Sequence, residues 1–356
     1  MIASEKELSE LIDSMAEFPR IALDTEADSL HSYFEKLCLI QLAFPTGSSC
    51  LIDPLNSLPL QPFYDALRNK TIVIHGADYD LRLFRRNGNF EVSEIFDTTI
   101  AARLISATEL GLAALVKRYF NVVLSKESQR ANWGMRPLPE RMLEYALNDV
   151  KYLLELADIL SAELHRLERW EWFVESRDRM VEATKEVRER DMDRVWRITG
   201  ASALHPKAQA IVRELWNWRE SEAKEWNRPA FYVMGNADIL QIASAAAEGR
   251  ELPRVKLPTS RSQRMQQTLE HALTLQESEW PVTIRGVRRR SSREELDRFD
   301  QYKARRDKVA AGLGLDPSII APKAALEATA ADINAPHLMR WQRKLLGVNN
   351  ESAGNA

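Results

Sequence analysis

The stretch Ile21-Ala-Leu-Asp24-Thr-Glu26-Ala-Asp28-Ser-Leu30 limits the fold more than any other part of this 356-residue chain. Its apolar start predicts a buried strand. Side chains two apart on a strand share a face, so Asp24 and Glu26 project together from the strand's end. Two like charges held that close raise each other's cost unless a proton or a cation relieves it. A hard divalent ion such as Mg²⁺, which takes one or two carboxylates plus substrate phosphates, suits that position. Taken alone, the pair fits a solvated turn as well, and other parts of the chain have to decide.

A length of 356 residues favours two or three domains. With 45% hydrophobic and 28% charged residues, the chain can bury a sizeable core. No apolar run approaches the roughly 20 residues of a membrane span, and the N-terminus lacks the order of a secretory signal. The expectation is a cytoplasmic protein with no membrane partner. Cys38 and Cys50 lie in apolar runs and read as reduced thiols, not a disulfide framework. The net charge of −3 hides an asymmetry. Residues 1–200 carry 25 basic side chains against 33 acidic ones, and residues 201–356 carry 24 against 19. An acidic front and a basic rear suggest different tasks, with a polyanion as one candidate partner of the rear.

Glu5 to Met15 has helical apolar spacing, with Ser4 as N-cap. Strand-like runs follow at 21–23, 37–44 and 50–52, the last two joined by a hairpin loop over 45–49. Residues 59–67 look helical, 71–74 form another short strand, and His75 to Phe84 suggests a strand-to-helix junction. Asp97 caps a helix through Leu104. Residues 111–120 form an amphipathic helix, and one long helix runs from near Glu140 to at least Leu167. The pattern predicts a mixed α/β sheet flanked by helices.

Two more acid sites stand out. A helix starting near Ala77 puts Asp80 in its first turn, beside the carboxyl end of the 71–74 strand, where open α/β sheets bind ligands; Asp78 is its nearest rival. Tyr145 and Asp149 are four apart and stack on one helical face. Each alone fits a surface acid better than a site. Together, the order Asp-x-Glu, Asp, Tyr-x3-Asp resembles the DEDD superfamily of 3′–5′ exonucleases, tyrosine branch. The flanks are similar too: Ile-Ala-Leu-Asp-Thr-Glu, His75-Gly-Ala-Asp-Tyr-Asp80-Leu, Trp133-Gly-Met-Arg136-Pro-Leu and Glu144-Tyr-Ala-Leu-Asn-Asp-Val, with Leu37-Cys-Leu-Ile-Gln-Leu-Ala like the family's second strand. The resemblance covers about residues 1–170 and implies a ribonuclease H-like fold.

The rear half resembles the helical HRDC module through Trp216-Asn-Trp218-Arg219-Glu, Asn227-Arg-Pro229-Ala-Phe231 and Ile239-Leu240-Gln-Ile-Ala243. A weaker echo recurs at Leu315-Asp-Pro317 through Leu326, the mark of a duplicated module. This order is similar to that of the ribonuclease D family. It implies an exonuclease domain over 1–170, a helical linker over 171–200, an HRDC domain over 201–283 and a second, degenerate HRDC-like domain over 293–348, the last two all-α. The implied function is a metal-dependent 3′–5′ exoribonuclease releasing nucleoside 5′-monophosphates, with tRNA 3′ maturation as its task. A 3′–5′ DNA exonuclease and a non-catalytic nucleic-acid-binding protein are the alternatives.

The resemblance also implies two divalent cations, Mg²⁺ or Mn²⁺. Asp24 would bridge both, Glu26 and Asp149 would complete one, Asp80 would help hold the other through water, and Tyr145 would position the attacking water. Leu30 and Tyr33 would pack on the terminal base or sugar, since stacking tolerates any base; a core role is equally open for both. Lys126, Arg130 and Arg136 are candidate phosphate contacts. His75 reads as a satisfied strand-end histidine, not a ligand. Residues 168–197 read as a charged helix or linker with a buried edge at Trp170, Trp172 and Phe173, and 248–262 as a loop. The basic cluster from Arg285 to Arg293 would contact RNA phosphates or serve as a solvated linker, and the tail from Asn349 is expected to be disordered. The expected partner is RNA, and the expected state a monomer.

Overall fold

The computed structural model describes residues 1–186, 191–282 and 291–348. The chain forms two compact units. One holds residues 1–26, 37–186 and 289–356, and the other holds 27–36 and 187–288.

The first unit opens with helix α1 (Glu5–Met15), capped by Ser4 and Glu7 in a reciprocal box. Strand β1 (Arg20–Ala27) lies at the centre of a five-stranded sheet ordered β3-β2-β1-β4-β5. Strands β2 (Leu37–Ala43) and β3 (Ser49–Ile52) pair antiparallel with Ile40 opposite Ile52. After helix α2 (Gln61–Leu67), strand β4 (Thr71–Ile74) pairs parallel with β1, Ala22 opposite Val73. Helix α3 (Asp78–Asn87) leads to strand β5 (Glu94–Asp97), parallel to β4. The carboxyl ends of three parallel strands therefore share one edge of the sheet. β1 brings Asp24 and Glu26 there, β4 runs into the turn before Asp80, and β5 ends on Asp97. The expected strand at 21–23 is longer than its apolar run, and β5, only four residues long, gave no pattern to find.

Asp97 fixes this edge. Its carboxylate accepts N–H groups from Thr99 (2.7 Å) and Ile100 (3.2 Å), capping α4 (Thr98–Leu104). It also accepts from Gly76 (3.2 Å) and Ala77 (2.9 Å), tying the start of α3 to the end of β5. Gly76 sits at φ +80°, a left-handed turn that favours glycine.

Helix α5 (Leu112–Phe120) precedes the expected long helix, which is two helices: α6 (Glu140–Lys151) and α7 (Leu153–Arg166), broken at Tyr152. No glycine or proline marks the break, and tertiary packing accounts for it. Met142 and Ala146 of α6 pack with Leu39, Leu51 and Trp133, while Leu153, Leu156, Leu160 and Leu164 of α7 pack with Phe96 and Phe173 in another cluster. Two short helices serve two clusters that one straight rod would not reach together.

Helix α8 (Trp170–Ala183) begins the stretch expected to be a helical linker over 171–200; it packs into the first unit's core through the expected edge, with Phe173 fully buried. In the second unit, α9 (Pro206–Trp226) packs with α10 (Ala230–Val233), α11 (Asn236–Ala247) and α12 (Thr259–Thr274) around Trp196, Leu215, Trp218 and Ile239. Helix α12 starts inside the stretch expected to be a loop over 248–262.

The remaining helices are α13 (Arg293–Leu313), α14 (Pro317–Ile320), α15 (Lys323–Ala331) and α16 (Arg340–Leu346). They repeat the pattern of α9 to α12. Both sets open with a 21-residue helix, end it on a left-handed cap (Asn227, Gly314) and continue with a four-residue helix. These helices, over the stretch expected to form a second, degenerate HRDC-like domain, are grouped with the first unit. Their own core is small, and they extend it by stacking Trp341 on Trp172 at 4.7 Å. The Glu175 carboxylate also accepts the free N–H groups of Arg340 (2.7 Å) and Trp341 (3.2 Å) at the start of α16. Neither cysteine is in a disulfide; Cys38 is buried and Cys50 half-buried. Among the described residues, no helix is long and apolar enough to cross a membrane. Residues 285–290 of the expected basic cluster and the tail from Asn349 lie outside the described residues.

Candidate active site

The four expected acids interact. Asp24 is half-buried, and its carboxyl sits well above the usual carboxylate range through burial first, then the charges of Asp80, Asp149 and Glu26. Glu26 is raised to about 9 by burial, then by Asp149 and Asp80. Burial raises Asp80 to about 7, against the hydrogen bond it accepts from the Thr25 hydroxyl. Burial likewise raises Asp149 to about 7, against the hydrogen bond it accepts from Tyr145. Three elements thus bring four carboxyls within Coulombic reach of one another: β1, the first turn of α3, and α6. Asp24 and Asp149, 125 residues apart in sequence, come near each other because α6 packs over β2 and β3 beside the carboxyl end of β1.

The Tyr145 phenol is pushed upward by burial and by Asp149, Glu26 and Asp24. It stays protonated at any ordinary pH, so it acts as a hydrogen-bonding group and not as a base. Asp24, His75, Leu112, Lys126, Gln129, Tyr145 and Asp149 line a cavity of about 250 Å³.

Oxygen-only donors with mutually raised affinity for positive charge fit a hard divalent cation better than any soft metal. Among the described residues, no three acid, histidine or cysteine side chains are gathered tightly enough to ligate one ion as they stand. The fit rests on donor chemistry and electrostatics.

Other expected residues fall in different places. Lys126 lines the cavity. Arg130 is exposed one residue past Gln129 in the same turn. Arg136 is a correction, because all five of its N–H groups are spent inside the fold. Nε and Nη2 grip the Asp53 carboxylate (both 2.6 Å), Nη2 also reaches Cys38 O (2.7 Å), and Nη1 reaches Trp133 O (2.8 Å) and Met135 O (2.6 Å). It locks a loop and has no donor left for a phosphate. Leu30 is 44% exposed in the segment 27–36 that belongs to the second unit. Tyr33, in the same segment, takes the core role: its ring packs against that unit's core and its hydroxyl donates to Glu220 (3.2 Å).

His75 is satisfied, as expected, by Thr98 Oγ1 (2.8 Å) and Thr99 Oγ1 (3.3 Å), and burial lowers its pKa. Sequence reasoning missed Thr25 and Gln129. Thr25 alternates away from Asp24 and Glu26 on the strand, and its link to Asp80 needs the α3 turn in place. No sequence signal marked either residue.

Residues 1–165 match the family described as 3′-5′ exonuclease, and residues 208–251 match the HRDC domain. The ribonuclease D of Haemophilus influenzae is 31% identical over 317 residues, covering 86% of this chain and 78% of that protein. The chain belongs to the ribonuclease D family. The ribonuclease D of Jannaschia sp. is 33% identical over 249 residues, a match spanning 68% of this chain and 64% of that relative's length. The crystal structure of Escherichia coli RNase D, an exoribonuclease involved in structured RNA processing, superposes with a TM-score of 0.69 at 25% identity, covering 93% of this chain and 89% of that one. As a ribonuclease D, the chain is a 3′–5′ exoribonuclease. The expected architecture, a mixed sheet flanked by helices and followed by helical modules, is that of the family. Family chemistry depends on divalent cations.

Proposed function

We propose that Asp24, Glu26, Asp80 and Asp149 hold two divalent cations, Mg²⁺ or Mn²⁺, and that this site hydrolyses the last phosphodiester of an RNA 3′ end. Such a pair of ions, when bound, stabilises the attacking and leaving oxygens of an in-line displacement. Asp24, on the central strand and raised by the charges of the other three acids, would be a ligand common to both ions. Glu26 and Asp149 serve one ion, and Asp80 serves the other. Tyr145, its proton directed at Asp149, offers its oxygen lone pairs to orient the attacking water. Lys126 and Arg130 steady the backbone phosphate, and Leu30 contacts the terminal sugar or base. The product is a nucleoside 5′-monophosphate.

The observation that carries this reading is the gathering of four buried or half-buried carboxyls from three elements, each with its pKa raised, which a cation pair would relieve. The natural substrate is the 3′ end of structured RNA, tRNA precursors among them. The chain acts as a monomer in the cytoplasm, with 208–251 as its HRDC module and 293–348 as a degenerate second copy. A labelled tRNA precursor carrying a 3′ trailer, incubated with Mg²⁺, Mn²⁺ or chelator, tests the proposal. Stepwise release of mononucleotides with metal, and none with chelator, is expected. Equal release with chelator would overturn the metal site, and degradation of a matched DNA oligonucleotide alone would overturn the choice of RNA.

A further inference from the structure

A cavity of about 380 Å³ lies within the first unit, between α4 and α8 on one side and α14 and α16 on the other. Ile100, Leu104, Met180, Ile319, Met339 and Trp341 form its apolar walls, and none of its lining residues belongs to the acidic cavity. Small ligands use chambers of about 300–1,000 Å³ with apolar walls and a few convergent polar groups. The walls are fixed by hydrogen bonds across the seam. Gln342 ties α16 to α14: its amide donates to Ile319 O (3.0 Å) and its carbonyl accepts Met339 N–H (2.8 Å). From α8, Arg179 donates to His337 O (3.1 Å) and Pro336 O (3.2 Å).

The unspent polar groups around this chamber are donors. The Trp341 indole N–H, on a side chain 6% exposed and stacked on Trp172, has no acceptor. The Ser176 hydroxyl donates to the Met339 thioether (3.6 Å), a weak acceptor. Arg103 lines the chamber and makes no hydrogen bond or ion pair with any described residue. Indole and guanidinium groups donate and cannot accept. Among the described residues that line the chamber there is no carboxylate. Arg103, Ser318 and Ile319 also line a wider cavity of about 660 Å³, where the acid present, Asp316, already accepts Ser318 N–H (2.7 Å). Leaving buried donors unpaired is costly, and an anion with an apolar body would satisfy them.

We infer that the chamber between α4, α8, α14 and α16 is a second binding site, separate from the acids, for a nucleoside 5′-monophosphate. The base enters among Met180, Ile319, Met339 and Trp341, a packing that tolerates any base. Arg103, at the border with the wider cavity, takes the phosphate as a charge-assisted pair. The choice of a nucleotide rests on the product proposed above, which is at hand wherever the enzyme works. The chamber and its unspent donors do not depend on that reading.

The test is calorimetric titration of the full chain with adenosine 5′-monophosphate in chelator, where the four acids hold no cation and repel a phosphate. Adenosine and inorganic phosphate are titrated beside it. The nucleotide should bind about tenfold or more tightly than either part alone, and Arg103→Gln should weaken it by about the same factor. Lys126→Ala, at the acidic cavity, should leave the affinity unchanged. Bound nucleotide should also slow amide exchange over 100–104 and 339–342. Arg103 is exposed and unpaired, so its replacement removes no contact of the fold. No binding, or binding lost in Lys126→Ala and kept in Arg103→Gln, would overturn the inference. So would adenosine or inorganic phosphate binding as tightly as the nucleotide, the second marking a plain anion site. Binding is read without turnover, so an enzyme that cleaves no RNA would end the nuclease reading and leave this result standing.

Discussion

Two groups of carboxylates contrast within this protein, one paired with arginine and one gathered with other acids. Asp53, 1% exposed, is gripped by both sides of the Arg136 guanidinium. Glu222, 5% exposed, takes Arg264 (Nη2, 2.6 Å) and Arg261 (Nε, 3.2 Å), and its pKa is lowered, by Arg264 first. Asp80 is buried, Asp24, Glu26 and Asp149 are half-buried around the same site, and every one of their pKa values is raised. The fold neutralises the first kind internally and leaves the second kind to an external charge. Acids of the first kind hold the structure together. Those of the second kind oppose folding, and the function proposed above gives them a role as a site for positive charge.

The contrast breaks most visibly at Asp24. Asp24→Asn removes the shared carboxylate, and mononucleotide release from RNA should fall by about three orders of magnitude, ~4 kcal/mol of barrier. Thermal unfolding in chelator should show no loss of stability and a gain of a few degrees, since a repulsive charge is gone. Arg136→Ala should do the reverse. It strands Asp53 in the interior, and breaking a buried pair costs about 3–5 kcal/mol, measurable by urea unfolding. Tyr145→Phe sharpens the chemistry side: kcat should fall by about one to two orders of magnitude, with Mn²⁺ affinity by calorimetry unchanged. Glu222→Gln gives the smallest effect, about 1 kcal/mol, because Arg264 is half exposed and water replaces part of what is lost. Its cost should shrink further at high salt.

How much of this was legible in the sequence follows range of contact. Ser4, Asp97 and the Asp24–Glu26 pair are decided within a few residues, by capping and by the period of a strand, and each is where local chemistry puts it. Asp80 and Asp149 needed the family's motif order to be grouped with Asp24, since periodicity alone left each a surface acid. The features that escaped depend on distant partners. Arg136 looked like a phosphate contact until Asp53, 83 residues away, took its donors. The break at Tyr152 carries no breaker residue and exists because α6 and α7 serve different clusters. Nothing near Trp341 in sequence pointed to its stacking partner, Trp172 on α8.

The central claim, that the fold leaves its four acids for cations to neutralise, is tested most directly by unfolding free energy against pH, with and without Mg²⁺, for wild type and for Asp24→Asn. Acids whose folded pKa is raised bind more protons in the native state than in the unfolded state from about pH 4, the ordinary carboxylate value, up to about 9, where Glu26 titrates. Stability therefore falls as pH rises through that window. Wild type without metal should lose stability relative to Asp24→Asn across it, and Mg²⁺ should restore wild type by an amount that grows with pH. Parallel pH profiles for the two proteins, with no Mg²⁺ stabilisation of wild type at pH 8, would contradict it.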